Sequence, residues 1–337
     1  MSLKQKTFAI ESQFLSPFAA KSEKTRGRLR EEPPCAMRTD YQRDRDRLIY
    51  CKAFRRLKNK TQVFFSPEGD HYVTRLTHTL DVAQIARSIA RALSLNEDLA
   101  EAIALGHDLG HTPFGHSGER ILNKLSPTGF KHNEQSLRVV DVLEKDGKGL
   151  NLTYEVRDGI VNHKKSGNPA TLEGKSVSFA DRIAYINHDL DDAVRAGILK
   201  LSDVPADIIA TLGSTSRERI NTAISSIYEN SVGKDDIKMD VAVEEASEKL
   251  RAFMFERVYL SGSAKGEEEK AERMLSAMYA HFMSRPEELP ETYIYLLEAY
   301  PREQVVCDYL SSMTDRYAIY MFDNIFIPKG WTFIDEK

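Results

Sequence analysis

Apolar residues recur along most of this chain at intervals of three and four, the spacing of one face of an α-helix. Between Thr77 and Leu93, Leu80, Val82, Ile85, Ile89 and Leu93 describe one stripe, so the spacing predicts a helix with a single buried face. Asn96 reads as the N-cap of a second helix, which Leu99, Ile103 and the surrounding alanines carry into Gly106–Gly110. A third stripe runs through Phe179, Ile183, Ile186, Leu190 and Val194 and stops near Gly197, and Tyr154–His163 reads as a shorter helix. Residues 207–337 return to the helical pattern, with aromatics at Tyr309, Tyr317, Tyr320, Phe322, Phe326 and Trp331. Only Thr61–Phe65 and Tyr72–Thr74 read as extended, on either side of a Pro67-Glu68-Gly69-Asp70 turn, which makes a small β-hairpin. The fold class is mainly α.

Breaks in the pattern fall at Glu32-Pro33-Pro34, Ser166–Pro169, Ser202–Pro205, Gly233–Asp236 and Ser261–Gly266. They divide the chain into a mobile N-terminal arm over residues 1–38, a core over 39–205, and a helical C-terminal region over 206–337. That last region is expected to pack on the core and assist assembly into a homo-oligomer. No repeat of 20–50 residues is visible. No apolar run approaches the ~20 residues that a membrane span requires.

Composition narrows the class further. Of 337 residues, 41% are hydrophobic and 29% charged, which suits a folded chain with a substantial core rather than a disordered one. Cys35, Cys51 and Cys307 lie far apart with no CxxC pair, which excludes a disulfide scaffold and a cysteine zinc ribbon and suits a reducing, cytoplasmic setting. The net charge is −4, yet residues 21–60 carry 14 Lys/Arg against 6 Asp/Glu. One reading is a phosphate-rich ligand or nucleic acid as partner; the other is a solvated face or subunit contact. The alternation Arg43-Asp44-Arg45-Asp46-Arg47 weighs against nucleic acid, because these charges can pair locally.

The chemistry concentrates in one stretch. Six of the nine histidines fall between His71 and His132, most densely in the run from Gly106 to Glu119, which holds His107, Asp108, His111 and His116. Glycines there let backbone approach a ligand closely, and Pro113 ends the preceding helix. His107 and Asp108 can converge on a cation if joined by His78 from the preceding helix and Asp181 from a later one. A His/His/Asp/Asp set with no thiolate suits a borderline-to-hard divalent metal acting on phosphate oxygens. Asp181, Tyr185 and Asp189, at i, i+4 and i+8, share one helix face. Alone such a face reads as solvent-exposed; beside the histidines it reads as part of a site, since buried carboxylates need partners.

The set His78, His107-Asp108 and Asp181 resembles the H…HD…D pattern of HD-domain metal phosphohydrolases. Its surroundings are similar to the dGTPase-like branch, the deoxynucleoside triphosphate triphosphohydrolases. The similarity is carried by Phe54–Val63, Arg75-Leu76-Thr77-His78, the segment His107–Glu119, Ala180–Asp192 and Met313-Thr314-Asp315-Arg316-Tyr317-Ala318, and runs from about Asp40 to Tyr320.

The resemblance implies an HD-domain helical fold with a C-terminal extension, and cleavage of a dNTP at the α-phosphorus to deoxynucleoside and tripolyphosphate. It implies His78, His107, Asp108 and Asp181 as metal ligands, His116 and Glu119 as a catalytic pair, and His111 and His132 as phosphate-site histidines. Arg75 matches an α-phosphate contact, Gln62 a 3′-hydroxyl contact, and Tyr185 and Asp189 the sugar pocket. Arg251 and Tyr259 resemble a phosphate and sugar pair, although Phe255 stands where some relatives have His. The metal is expected to be Mn²⁺ or Mg²⁺, with Fe²⁺, Co²⁺, Ni²⁺ and Zn²⁺ admitted by the same ligands. The resemblance also implies a homo-oligomer that dNTPs activate from separate sites. Two other readings stay open: an HD phosphohydrolase acting on another nucleotide phosphoester, and a regulator that binds nucleotides or single-stranded nucleic acid.

Overall fold

The computed structural model describes residues 2–62, 73–259 and 262–330. Its longer helices are α1 (Leu3–Phe14), α2 (Asp40–Tyr50), α3 (Arg75–Ala92), α4 (Glu97–Gly106), α5 (Gly115–Leu125), α6 (His132–Arg138), α7 (Tyr154–Val161) and α8 (Leu172–Arg195). There follow α9 (Ala206–Leu212), α10 (Ser216–Ser231), α11 (Val241–Met254), α12 (Gly262–Ser284), α13 (Arg302–Ser312) and α14 (Asp315–Phe326). No helix among the described residues is long and apolar enough to cross a membrane.

The starts of the central helices are set by their caps. Thr74 accepts from the Thr77 N–H at 3.3 Å, Asn96 from Leu99 at 3.2 Å and Thr171 from Gly174 at 3.1 Å, each satisfying a donor that the first turn leaves open. α3 then packs on both α4 and α8. Ile89, Leu99, Ile103 and Ile160 are all but sealed from water in this core, and each contributes roughly 1.5–3 kcal/mol by leaving it. Leu80 departs from the expected stripe: it is 50% exposed, whereas Val82, Ile85, Ile89 and Leu93 are buried. Two residues apart on a helix is about 200° of rotation, so Leu80 and Val82 cannot share a face. In α8, Ile183, Ile186 and Leu190 are buried, and Val194 near the helix end is partly exposed.

Thr61 and Thr74 form an antiparallel bridge where a hairpin would close. The remainder of that expected hairpin, 63–72, lies outside the described residues. Of the break expected at Ser261–Gly266, the residues from Gly262 onward open α12.

Residues 1–38, expected as a mobile arm, make specific contacts with the core. Leu3–Phe14 is helical, and the strap after it is pinned by buried carboxylates. Glu11 accepts from the Ser22 backbone at 2.8 Å, the Ser22 hydroxyl at 2.6 Å and Asn96 Nδ2 at 3.1 Å. Glu155 accepts from the Arg26 backbone at 2.7 Å and Thr25 Oγ1 at 2.8 Å. Low apolar content misleads here because backbone-to-carboxylate bonds, rather than side-chain burial, fasten the strap. The basic segment is similarly engaged: Arg28 pairs with Asp44 and Asp40, Arg43 and Arg47 with Glu32, and Arg45 with Asp98.

The C-terminal helices close over the other side of the core. Phe114, Ile121 and Leu122 share an apolar cluster with Leu275, Phe282, Leu310 and Met313, so α5 is sandwiched between the two halves of the chain. Arg138 adds a paired set of bonds to the buried Asp308 at 2.7–2.9 Å.

Candidate active site

Three helices deliver one cluster. α3 presents Arg75 and His78 in its first turn, α4 runs out at His107-Asp108, and α8 presents Asp181 from its middle. The approach is close at Gly106, where a Cβ would lie 2.4 Å from Ile160 Cδ1, so α4 meets α7 with no room for a side chain. His78 Nε2 stands 3.1 Å from Asp181 Oδ1, and His107 Nε2 stands 3.8 Å from that oxygen and 3.7 Å from Asp108 Oδ2. His107 Nδ1 bonds the Ala104 carbonyl at 2.6 Å, which places the proton there and leaves Nε2 a buried lone pair with no hydrogen-bond partner.

The electrostatics suit a cation. Burial lowers His78 and so favours the neutral, ligating imidazole, with the Asp181 hydrogen bond opposing. Burial works to raise Asp181, but its bond with His78 and the neighbouring histidine charges hold it well below the usual carboxylate range. Asp108 is likewise held far down against its burial, chiefly by Arg75, whose Nη1 reaches Asp108 Oδ2 at 2.5 Å. Two ionised carboxylates and two imidazole nitrogens converge, and the orphaned Nε2 of His107 aims at the gap between them. These residues fit a divalent metal.

Beside this cluster lies a row of histidines. His111 stacks on His132 with ring centroids 4.6 Å apart, and His116 meets His111 edge-on at 5.3 Å. Burial, then the charge of Arg75, pushes His111 well down. Glu119 turns mainly to His132: both its oxygens lie 2.9 Å from His132 Nδ1, and Oε1 also accepts the His132 backbone N–H at 3.0 Å. Its oxygen is 3.5 Å from His116 Nδ1, so the expected pair is part of a triad in which Glu119 sits between two rings. Burial would raise Glu119, but these histidine bonds hold it far below its ordinary value. His116 itself is 53% exposed at the cleft.

A cleft of about 450 Å³ joins these groups to residues further along its walls. Gln62, Tyr185 and Arg251 line it, and buried Gln62 Oε1 has no hydrogen-bond partner among the described residues. Asp189 is buried and takes a hydrogen bond from Tyr185; burial raises its carboxyl well above the usual range. The Asp181/Tyr185/Asp189 face is therefore turned inward, not to solvent. Arg251 is 59% exposed and 3.6 Å from Glu248. The side chain of Tyr259 lies outside the described residues.

Two residues went unassigned in the sequence reading. His163 is buried, bonds the Ile160 carbonyl through Nδ1 at 2.7 Å and offers Nε2 to His132 Nε2 at 3.3 Å. Burial and the neighbouring His107 and His132 lower it to about 4. The sign was a histidine ending a short helix just before Lys164-Lys165 and a glycine break. His188 packs edge-on to His78 at 5.8 Å and pairs with Asp81 at 3.0 Å; it stands one residue before Asp189, and no pattern marked it.

Residues 75–186 match the HD domain family, and residues 237–324 match a phosphohydrolase-associated domain. A deoxyguanosinetriphosphate triphosphohydrolase-like protein of Caldanaerobacter subterraneus subsp. tengcongensis is 57% identical, with 98% of each chain covered. The chain belongs to this family. Similarly named relatives from Desulfatibacillum aliphaticivorans and Clostridium tetani are 48% and 47% identical, over 97% and 98% of this chain and 99% and 97% of theirs. A phosphohydrolase structure from Bacteroides thetaiotaomicron shares the fold at a TM-score of 0.52 and 19% identity, covering 83% of this chain and 67% of the other. This member of the dGTPase-like family is thus a hydrolase with an HD-domain helical fold, and its buried His/Asp cluster could hold a metal ion.

Proposed function

We propose that this enzyme hydrolyses dNTPs at the α-phosphorus to deoxynucleoside and tripolyphosphate. The observation that carries the reading is the convergence of His78, His107, Asp108 and Asp181 beside Arg75 and the histidine row, in a single cleft that also contains Gln62 and Tyr185. The names of the relatives support a deoxynucleoside triphosphate as substrate. A divalent cation on the four ligands, Mn²⁺ or Mg²⁺ first and Fe²⁺, Co²⁺, Ni²⁺ or Zn²⁺ by the same donors, would supply Lewis acidity at the α-phosphate and acidify water there.

The rest falls to the protein. Arg75, fixed by Asp108, offers its remaining guanidinium N–H groups to α-phosphate oxygens, where charge builds in the transition state. His111 and His132 bind the outer phosphates. Water attacks phosphorus, the bond to the 5′-oxygen breaks, and that oxygen leaves with a proton. His116, exposed to the cleft and steadied by Glu119, is the proton-transfer group. On this reading the Tyr185 ring, hydrogen-bonded to Asp189, excludes a 2′-hydroxyl by sterics, and Gln62 Oε1, buried with no hydrogen-bond partner among the described residues, accepts from the 3′-hydroxyl. Arg251 adds a phosphate contact from the rim, with Tyr259 as its sugar-side partner.

We hold assembly into a homo-oligomer and activation by dNTPs at separate sites as part of this reading; exposed Ile319, Tyr320 and Ile327 at the chain's end support a contact there. Three free cysteines support a reducing cytoplasm.

The test incubates the protein with each dNTP, singly and as an equal mixture, with Mn²⁺ or Mg²⁺, and separates products by ion exchange. Tripolyphosphate with deoxynucleoside is expected. Asp108→Ala should lose about 10³-fold or more in kcat together with metal binding, while helical circular dichroism stays. Orthophosphate or pyrophosphate instead would shift the assignment to another phosphoester; DNA binding without turnover would shift it to a regulator.

A further inference from the structure

The segment Met313–Ala318 has no part in the chemistry above, yet one of its residues reaches the site. Asp315 opens α14 and is 2% exposed. Its Oδ1 accepts the Phe114 backbone N–H at 3.1 Å, and its Oδ2 accepts the Thr61 backbone N–H at 3.0 Å together with the Thr61 hydroxyl. It is not needed to cap its own helix, because Thr314 accepts the Tyr317 N–H at 3.2 Å.

The two segments it joins are neighbours of substrate-facing side chains. Thr61 precedes Gln62, and Phe114 lies two residues before His116. They touch at Gly115, where a Cβ would stand 3.1 Å from the Gln62 carbonyl oxygen. Phe114 and Gly115 both have left-handed backbones, at φ 62° and 57°, a conformation that a residue such as Phe does not hold by itself. Lys60 clamps the same place: its buried ammonium donates to the His111 carbonyl and, at 2.7 Å, to the Ser311 carbonyl.

We propose that Asp315 is a positioning residue for substrate recognition, a carboxylate from the C-terminal region that clasps Thr61 to Phe114 and thereby sets Gln62 and His116 in the cleft. The roles of Gln62 and His116 rest on the hydrolase reading above; the clasp rests on the geometry. The HD segment alone would then present an incomplete site.

The decisive variant is Asp315→Asn, which replaces one acceptor with a donor facing a backbone N–H. Kinetics would compare a dNTP with its 2′,3′-dideoxy counterpart, which lacks the hydroxyl assigned to Gln62. Relative to the native enzyme, kcat/KM for the dNTP should fall about 10²-fold and the preference over the dideoxy compound by about tenfold, with Mn²⁺ affinity by calorimetry unchanged. An unchanged preference in the folded variant overturns the proposal even if stability drops, because loss of folded protein lowers both substrates equally. Should Asp315→Asn fail to fold, Thr61→Val removes one of the three bonds and should lower the preference by a smaller factor; no change there overturns it.

Hydrogen exchange reads the clasp without turnover. Peptides spanning Thr61–Gln62 and Phe114–His116 should exchange faster in either variant, and unaltered exchange overturns the proposal. If the native enzyme leaves every dNTP intact, the hydrolase reading fails while the exchange result still decides the clasp.

Discussion

His107 commits its Nδ1 proton to the Ala104 carbonyl and keeps a buried lone pair for the cleft, so a single backbone bond decides what that side chain can do. The same logic orders Glu119, whose two oxygens turn to His132 and leave the longer contact to His116. Glu119→Gln replaces an acceptor oxygen with an amide donor opposite His132 Nδ1 and should lower kcat about 10²-fold while KM changes less, as steady-state kinetics would show. Equal kcat would remove Glu119 from the mechanism. The grouping of His78, His107, Asp108 and Asp181 was legible in the sequence because His107 and Asp108 are adjacent and His78 and Asp181 sit on strongly periodic helices. The partner of Glu119 was not: His132 lies thirteen residues away, across a turn whose course no local pattern fixes. His163 was missed for the same reason, since its meaning comes from His132 across 3.3 Å of space.

At the scale of elements, periodicity located α3, α4 and α8 well and their end residues less well. Leu80 faces out because two-residue spacing turns it away from Val82. What periodicity cannot register is a polar bond that fixes one element to another. Glu173, in the first turn of α8, is fully buried and accepts the backbone N–H groups of Asn96 at 2.9 Å and Ala20 at 3.0 Å, joining α8, α4 and the N-terminal strap. Burial pushes its carboxyl up to about 7, with Glu11 adding to the shift. The folded state therefore binds the proton more tightly than the unfolded chain, and stability falls as pH rises through the window from the ordinary carboxylate range to about 7. The loss is on the order of 3 kcal/mol above that window. Glu173→Gln keeps the accepting oxygen and abolishes the charge, so its Tm should exceed the native value at pH 8 and match it near pH 4. Parallel Tm curves for the two proteins would show that the charge carries no such cost.

Across the whole molecule, the excess positive charge of residues 21–60 left two readings, a phosphate-rich partner or a solvated face or subunit contact, and the fold uses much of it internally. Arg28, Arg43, Arg45 and Arg47 each meet a carboxylate, which leaves fewer cations for phosphates than the sequence count implies. Removing residues 1–38 would strip partners from Asp44, Asn96, Glu155 and Glu173 at once. Buried polar groups without partners cost about 1–3 kcal/mol each, so Tm should fall by at least several degrees. An unchanged melting curve would restore the dispensable arm that composition alone predicts. The C-terminal region is as closely tied in, through Asp308 to Arg138 and Asp315 to Thr61 and Phe114, so helix α5, which carries His116 and Glu119, answers to both halves.

The central claim concerns which bond breaks, and hydrolysis in ¹⁸O-labelled water reads it directly by mass spectrometry of both products. Attack at the α-phosphorus puts one labelled oxygen in tripolyphosphate and none in the deoxynucleoside, and that is the result expected here. Label in the 5′-hydroxyl of the deoxynucleoside, or release of orthophosphate or pyrophosphate in place of tripolyphosphate, would contradict the account.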